Sequence, residues 1–109
     1  MVDDGRELVA ALQSVVPEAA LRGVILRVTA INRTQGYHST IIVPLNNGLQ
    51  DDAGIVSFEV RAVPPEFTEP QGPEVARRVV AAIFVNDNQL EDIRGFRLIS
   101  AGNTINLRR

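Results

Sequence analysis

The sequence predicts a mainly β domain (α+β at the margin): an antiparallel β-sandwich or partly open barrel of about six strands, with one N-terminal helix. Apolar and polar residues alternate along segments rich in β-branched side chains, most clearly over 55–63, as they do in strands with one buried face. Turn-forming residues recur roughly every 8–12 residues, a rhythm typical of sandwiches and barrels. The chain has 109 residues, of which 45% are hydrophobic. We therefore expect a single β-rich domain over 1–109, with its sandwich core over 23–109.

The N-terminal segment differs from the rest because its apolar residues recur at helical spacing. Leu8 and Leu12, followed by Val15 or Val16, lie at i, i+4 and i+7 or i+8, which places them on one face of a helix. The preceding residues Asp4 to Glu7 have the order of a capping box, and a proline stops the pattern. The sequence predicts a helix over 4–16 that packs on the sheet through this apolar stripe.

The remaining segments have the two-residue period of strands. Predicted strands cover 24–31, 37–45, 55–63 and 74–85, and a terminal hairpin joins 96–100 to 104–107. Segment 74–85 becomes apolar on both faces after its first residues, so we expect it in the middle of a sheet. Between it and the hairpin, a short helical turn is predicted near 87–93, because Asn and Asp cap its start and a glycine ends it.

The basic residues are unusual because all 11 are arginine, with no lysine in the chain. This usage has two alternative explanations: a GC-rich genome, or selection for planar contacts to carboxylate or phosphate. The missing lysine excludes Schiff-base chemistry and a P-loop, and the missing cysteine excludes disulfides and thiolate metal sites. No cofactor is expected from these residue types.

The charge is mild and unevenly distributed. Net charge is −2, with an acidic excess before residue 75 and a basic excess after it. No strong basic stripe is present, so nucleic acid is not an expected partner. No apolar run approaches the roughly 20 residues of a membrane span. Asp3 and Asp4 stand where a signal peptide would be basic. The sequence as given therefore predicts a cytoplasmic protein, or an exported protein whose signal peptide has been removed.

Catalytic and metal chemistry find little support. His38 is the only histidine, and in an extended strand it points away from Ser39, which prevents the two from meeting as base and nucleophile. The acidic residues of loops 46–54 and 86–92 are explained by turn and cap preferences. We therefore predict no catalytic residue and no metal site.

Two loops offer candidate binding residues. Segment 64–73 holds four prolines and one aromatic residue, Phe67. Phe67 either tucks back as a lid over one end of the sandwich or stands exposed as an anchor for a partner. Arg33 and Tyr37 belong to residue types enriched at interfaces, and a hairpin tip presents them outward.

The function expected from these observations is a non-enzymatic protein-binding or accessory domain that acts through its loops and strand edges, with another protein or a second copy as partner. One alternative is a ligand carrier or enzyme with an anion pocket built from Arg77, Arg78, Arg94 and Arg97. Another is a structural subunit that assembles through its edge strands. The candidate binding residues are Arg33, Tyr37, Phe67, Arg77, Arg78 and Arg97.

Overall fold

The computed structural model describes residues 5–90 and 92–108, which form two β-sheets packed face to face. The strands are β1 (Glu7–Leu8), β2 (Ala11–Ala20), β3 (Gly23–Ile31), β4 (His38–Pro44), β5 (Ile55–Val63), β6 (Arg78–Asn86), β7 (Gly95–Ile99) and β8 (Thr104–Arg108). Two single helical turns, α1 (Glu74–Arg77) and α2 (Asp87–Leu90), flank β6, and a 3-10 turn covers Asn46–Gly48. In this described part of the chain, no helix has the length and apolar character that a membrane crossing requires.

The larger sheet is built around β5, which pairs with β4 on one edge and with β7 and β1 on the other; β8 lies beyond β7. The smaller sheet has the order β2-β3-β6. No ladder joins the two sheets within the described residues, so the predicted sandwich is confirmed and the barrel is not closed. The predicted antiparallel pairing has one exception, because β5 and β7 run parallel.

The core lies between the sheets and follows the predicted alternation. The inward residues of β5 are all buried: Val56, Phe58, Val60 and Ala62. Those of β3 face them from the smaller sheet: Leu26, Val28 and Ala30. Strong β-branched alternation is therefore enough to place these two strands and their buried faces.

The helix predicted over 4–16 is wrong, because residues 5–20 contain no helix and β2 pairs with β3 along its length. The register shifts by one residue between Leu12 and Ser14, and this bulge lets Leu12 and Val15 both pack on the core. Their three-residue separation imitates helical spacing although the backbone is a strand. Asp4, the predicted cap, lies outside the described residues.

Strand β6 lies at the edge of the smaller sheet, so its predicted central position is wrong. The first residues of the predicted strand, 74–77, form the helical turn α1 instead. The other two predictions for this half of the chain are confirmed: α2 is the helical turn expected near 87–93, and β7 pairs with β8 as the terminal hairpin.

The turn between β7 and β8 joins the two sheets. The chain leaves β1 in the larger sheet and enters β2 in the smaller one, and Asn103 contacts it at that crossing. The Leu12 N–H donates to Asn103 Oδ1 (2.7 Å), and Asn103 Nδ2 donates to the Leu12 carbonyl (2.9 Å). The Ala101 N–H donates to the Val9 carbonyl at 2.9 Å. One amide side chain thus satisfies both backbone groups of a residue beside the bulge.

Candidate functional site

Two loops and α1 form a continuous surface at one end of the sandwich, which we call the loop surface (residues 32–37 and 64–77). The first loop joins β3 to β4, and the second joins β5 to β6. The Gln35 N–H donates to the Pro70 carbonyl at 3.4 Å. The two loops therefore support each other although they are about 30 residues apart in sequence.

Gly36 shows how closely the loops approach. Its φ is +94°, and a Cβ at this position would lie 3.0 Å from side-chain carbons of both Pro65 and Glu69. Only glycine adopts this backbone conformation without strain and leaves that space open. The polar turn predicted from the sequence is thus a contact point between loops rather than an isolated hairpin tip.

Asn32 and Arg77 hold α1 against the first loop. The Asn32 N–H donates to the Arg77 carbonyl (3.0 Å), and Arg77 Nη1 donates to the Asn32 carbonyl (3.2 Å). Asn32 is 1% exposed. Its Oδ1 and the Arg77 Nε are buried atoms with no hydrogen-bond partner among the described residues. The Arg77 guanidinium therefore positions the loop surface from within.

Phe67 is exposed rather than tucked against the sandwich. Its exposed fraction is 75%, in a loop whose neighbours Pro65 and Pro70 contact the first loop. Of the two interpretations from the sequence, the lid is wrong and the exposed aromatic is what the structure contains. Val75 on α1 is also 70% exposed, so the loop surface presents two apolar side chains to solvent.

Arg33 and Tyr37 are brought together by a residue that the sequence analysis did not select. Glu7 on β1 accepts a hydrogen bond from the Tyr37 hydroxyl (3.4 Å, to Oε1), and its Oε2 lies 3.5 Å from Arg33 Nη2. The Arg33 side chain remains 67% exposed. No sequence pattern identifies Glu7, because its position depends on the pairing of the two-residue strand β1 with β5.

The four arginines of the predicted anion pocket do not meet. Arg78 begins β6 and pairs with Glu74 (Nη2 to Oε2, 3.7 Å). Arg94 follows the opposite end of β6, and nine strand residues separate ends by roughly 25–30 Å. Arg97 lies in the larger sheet, where its Nε donates to Asn106 Oδ1 at 3.3 Å. The pocket predicted from these residues is therefore not formed as a group of four.

A different hollow contains one of these arginines. It is open, has a volume of about 720 Å³, and is lined by Arg94 and Arg108 together with Ile55, Ile93, Gly95, Asn106 and Leu107. A neighbouring hollow shares Arg94 and contains three acids: Asp51, Asp52 and Asp92. The Ile55 and Ala53 amides donate to Asp51 Oδ1 and hold the pKa of that carboxyl below its usual range. Basic and acidic residues thus line neighbouring hollows at this end of the molecule.

The sequence argument about His38 and Ser39 is wrong in its geometry. A bulge lies between His38 and Ile41, and Ser39 has a φ of 53°. This left-handed conformation turns the hydroxyl back, so that His38 Nδ1 and Ser39 Oγ are 3.0 Å apart. A serine–histidine pair acts as base and nucleophile when a third group orients the imidazole. No carboxylate among the described residues is hydrogen-bonded to His38.

Metal chemistry gains no support from the geometry. No group of three or more histidine, aspartate or glutamate residues within 5–90 and 92–108 is arranged to hold a metal ion. Comparison of the chain with protein-family models, with curated proteins and with solved structures found no match.

Proposed function

We propose that this chain is a non-enzymatic protein-binding domain that presents the loop surface to another protein. The observation that carries the proposal is the exposure of Phe67, which is 75% exposed on a loop anchored at both ends. Aromatic side chains that enter a partner's pocket commonly contribute most of the binding free energy at an interface. Loops held by a rigid sheet are the usual location of such residues.

The surroundings of Phe67 favour a partner with an apolar pocket and a basic rim. Glu66 and Glu69 flank the ring in sequence, and Glu66 is exposed. Arg33 forms an ion pair with Glu7, which offsets its positive charge. The charge near the ring is therefore mainly negative. Charges at the rim of an interface chiefly set association rate and specificity, while the buried aromatic sets affinity.

The contacts between the loops support the proposal energetically. The hydrogen bond from Gln35 to Pro70 and the close approach at Gly36 restrict both loops before any partner binds. An anchor presented in its bound conformation avoids much of the conformational entropy cost of association.

Site-specific photo-crosslinking tests this proposal. A benzophenone amino acid replaces Phe67 in one variant and Leu49 in another, and both are expressed in cells of the source organism. Leu49 is the matched control because it is an apolar loop residue of similar exposure, 63%. We expect a discrete set of proteins to crosslink from position 67 only, and Arg33→Ala in the same chain to reduce their yield.

Equal crosslinking from positions 67 and 49 would contradict the proposal, as would a yield from position 67 that Arg33→Ala leaves unchanged. Phe67→Ala provides an independent measurement. Because the ring is mostly exposed, this substitution should remove partner capture without changing the unfolding midpoint.

A second candidate function, binding of a small anion, rests on the hollow that contains Arg94 and Arg108. Two arginines line this cavity, and the guanidinium group of arginine binds phosphate or carboxylate groups well. Titration with inorganic phosphate, followed by amide chemical shifts, tests it. Shifts confined to this hollow and lost in Arg94→Ala would support anion binding, whereas no saturable shift would exclude phosphate as its ligand.

A further inference from the structure

Strands β2, β4, β6 and β8, which lie at the outer edges of the two sheets, differ in how their edges are protected. Strand β2 contains Pro17 and a bulge, and β4 contains a bulge and ends at Pro44. Strand β8 is short and carries Arg108 at its end. Prolines, bulges, charges and short length are the features by which β proteins prevent an edge from pairing with another chain. Three of the four edges therefore have such protection.

Strand β6 has no proline or bulge, and its charge is confined to Arg78 at its start. It is nine residues long, and from Val79 to Val85 it contains no charge, proline or glycine. Within the described residues it forms a ladder only with β3, and β4 of the larger sheet approaches it without pairing. A long apolar edge of this kind is a template for pairing with a further strand.

The hydrogen bonds between β3 and β6 identify which backbone N–H and C=O groups of β6 point to its open edge. The Asn32 N–H donates to the Arg77 carbonyl (3.0 Å), and the Asp87 N–H donates to the Arg22 carbonyl (2.8 Å). Hydrogen-bonded pairs alternate with non-bonded pairs in an antiparallel ladder. The odd-numbered residues therefore bond to β3, and the N–H and C=O groups of Val80, Ala82 and Phe84 point outward along the open edge.

The same three residues carry apolar side chains on the outer face of the smaller sheet. Val80 is 58% exposed and Phe84 is 49% exposed, and Ala82 between them is exposed as well. Each residue thus directs its backbone N–H and C=O groups toward the open edge and its apolar side chain toward the outer face. An added strand uses the backbone groups for hydrogen bonds and the side chains for specificity.

The sequence of β6 is complementary to itself when two copies run antiparallel. The apolar run Val79–Val85 is centred on Ala82. Pairing Ala82 with its counterpart places Val80 opposite Phe84 and leaves no apolar residue facing a polar one. Branched and aromatic pairs are favourable across strands. A shift by two residues either way would leave apolar residues of the run opposite residues outside it.

The residues that flank the apolar run place no like charges against each other in this register. Antiparallel pairing about Ala82 brings Arg78 opposite the neutral Asn86 of the other copy. A two-fold axis repeats this pair on both sides.

We propose that the open edge of β6 binds a second copy of this chain, in an antiparallel register centred on Ala82, so that the two smaller sheets form one six-stranded sheet. A perpendicular two-fold axis keeps the exposed side chains of both copies on the same outer face. This surface is separate from the loop surface, and neither proposal depends on the other.

Charge exchange at the two-fold axis tests the proposal. Ala82→Glu and Ala82→Arg each place two like charges directly opposite one another in the homodimer, and each should weaken dimerisation roughly tenfold. An equimolar mixture of the two variants should restore dimers, because the opposite charges then meet. Sedimentation equilibrium over a range of concentrations measures all three samples against the wild-type protein.

Val16 provides the matched control. It lies on the same outer face and in the same row, separated from Ala82 by Arg27 of β3, but it belongs to the other edge. Val16→Glu and Val16→Arg should therefore leave dimerisation unchanged. Circular dichroism of every variant establishes that the monomer still folds.

Each result decides the matter. A wild-type protein that remains monomeric at all concentrations would overturn the proposal, and so would dimers that respond to Val16 rather than to Ala82. If the mixture of Ala82→Glu and Ala82→Arg does not recover dimers while each variant alone is monomeric, the register centred on Ala82 is wrong.

Discussion

On the outer face of the larger sheet, β5 carries Ser57, Glu59 and Arg61, whereas on the outer face of the smaller sheet β6 carries Val80, Ala82 and Phe84. Glu59 and Arg61 form an ion pair (3.0 Å), as is common on a face in contact with water. The alternating period is the same in both strands, so the period identifies a strand and its two faces. Only the chemistry of the outward residues distinguishes the polar outer face of β5 from the apolar outer face of β6.

Substitutions on the inner faces of the two sheets should destabilise the protein to a similar extent, unlike substitutions on the outer faces. These losses should be the largest of the effects predicted. Leu26 in the smaller sheet and Leu98 in the larger sheet are both fully buried. Leu26→Ala and Leu98→Ala should each lower the free energy of unfolding by about 2–5 kcal/mol, because each leaves a cavity in one shared core. Urea denaturation followed by circular dichroism measures both. A loss below about 1 kcal/mol in only one variant would mean that the sheets do not share their core equally.

The contact of Asn103 with Leu12, where the chain crosses between the sheets, should give the next largest effect. Asn103→Ala removes two hydrogen bonds to the backbone of Leu12 and leaves partly buried groups unsatisfied, so we expect a loss of about 1–3 kcal/mol. Amide exchange at Leu12 should accelerate at the same time. Asn106→Ala, on an exposed position of β8, is the control and should change both quantities little.

The outer face of β6 should contribute little to the stability of the monomer. Val80→Thr keeps the branched shape and β propensity of the side chain while reducing its apolar surface, so the free energy of unfolding should stay within about 0.5 kcal/mol. The measurement is urea denaturation at a concentration where the protein is monomeric. A large loss would show that the outward side chain of Val80 belongs to the monomer's own packing.

The smallest effect concerns the ion pair between Glu18 and Arg27 on this apolar face. Hydrogen bonds from Arg27 (3.0 and 3.1 Å) hold the pKa of Glu18 below its usual range. A carboxyl whose pKa is lower in the folded state stabilises the fold above the unfolded-state pKa, and this contribution disappears as pH falls through the folded-state pKa. Glu18→Gln should therefore lower the urea midpoint at pH 7 but not at pH 2. An equal difference at both pH values would contradict the ion-pair origin.

The sequence was sufficient to predict the sandwich and the buried face of β5, because both follow from local alternation. It failed at β2, where a single inserted residue placed Leu12 and Val15 on the same face and mimicked a helix. It also failed at β6, because two apolar faces are expected both for a strand covered by its own fold and for one left exposed at an edge. Local patterns do not contain the information that separates these cases.

The candidate site was predictable only in part, for a similar reason. Residue type was enough to select Phe67, Arg33 and Tyr37, but exposure of the ring depends on contacts between loops distant in sequence. Glu7 was missed because only the paired strands bring it to Arg33. The bond between His38 and Ser39 depends on a left-handed residue at a bulge, and simple strand alternation predicts the opposite orientation.

The contact between Leu12 and Asn103 spans 91 positions along the chain, and this affects when the protein can fold during synthesis. Strand β2 can meet β3 early, as a hairpin of neighbouring segments. Its crossing from the larger sheet is not secured until the turn that contains Asn103 has left the ribosome. Contacts of such long sequence separation slow folding, so this crossing is fixed only after β7 and β8 have been made.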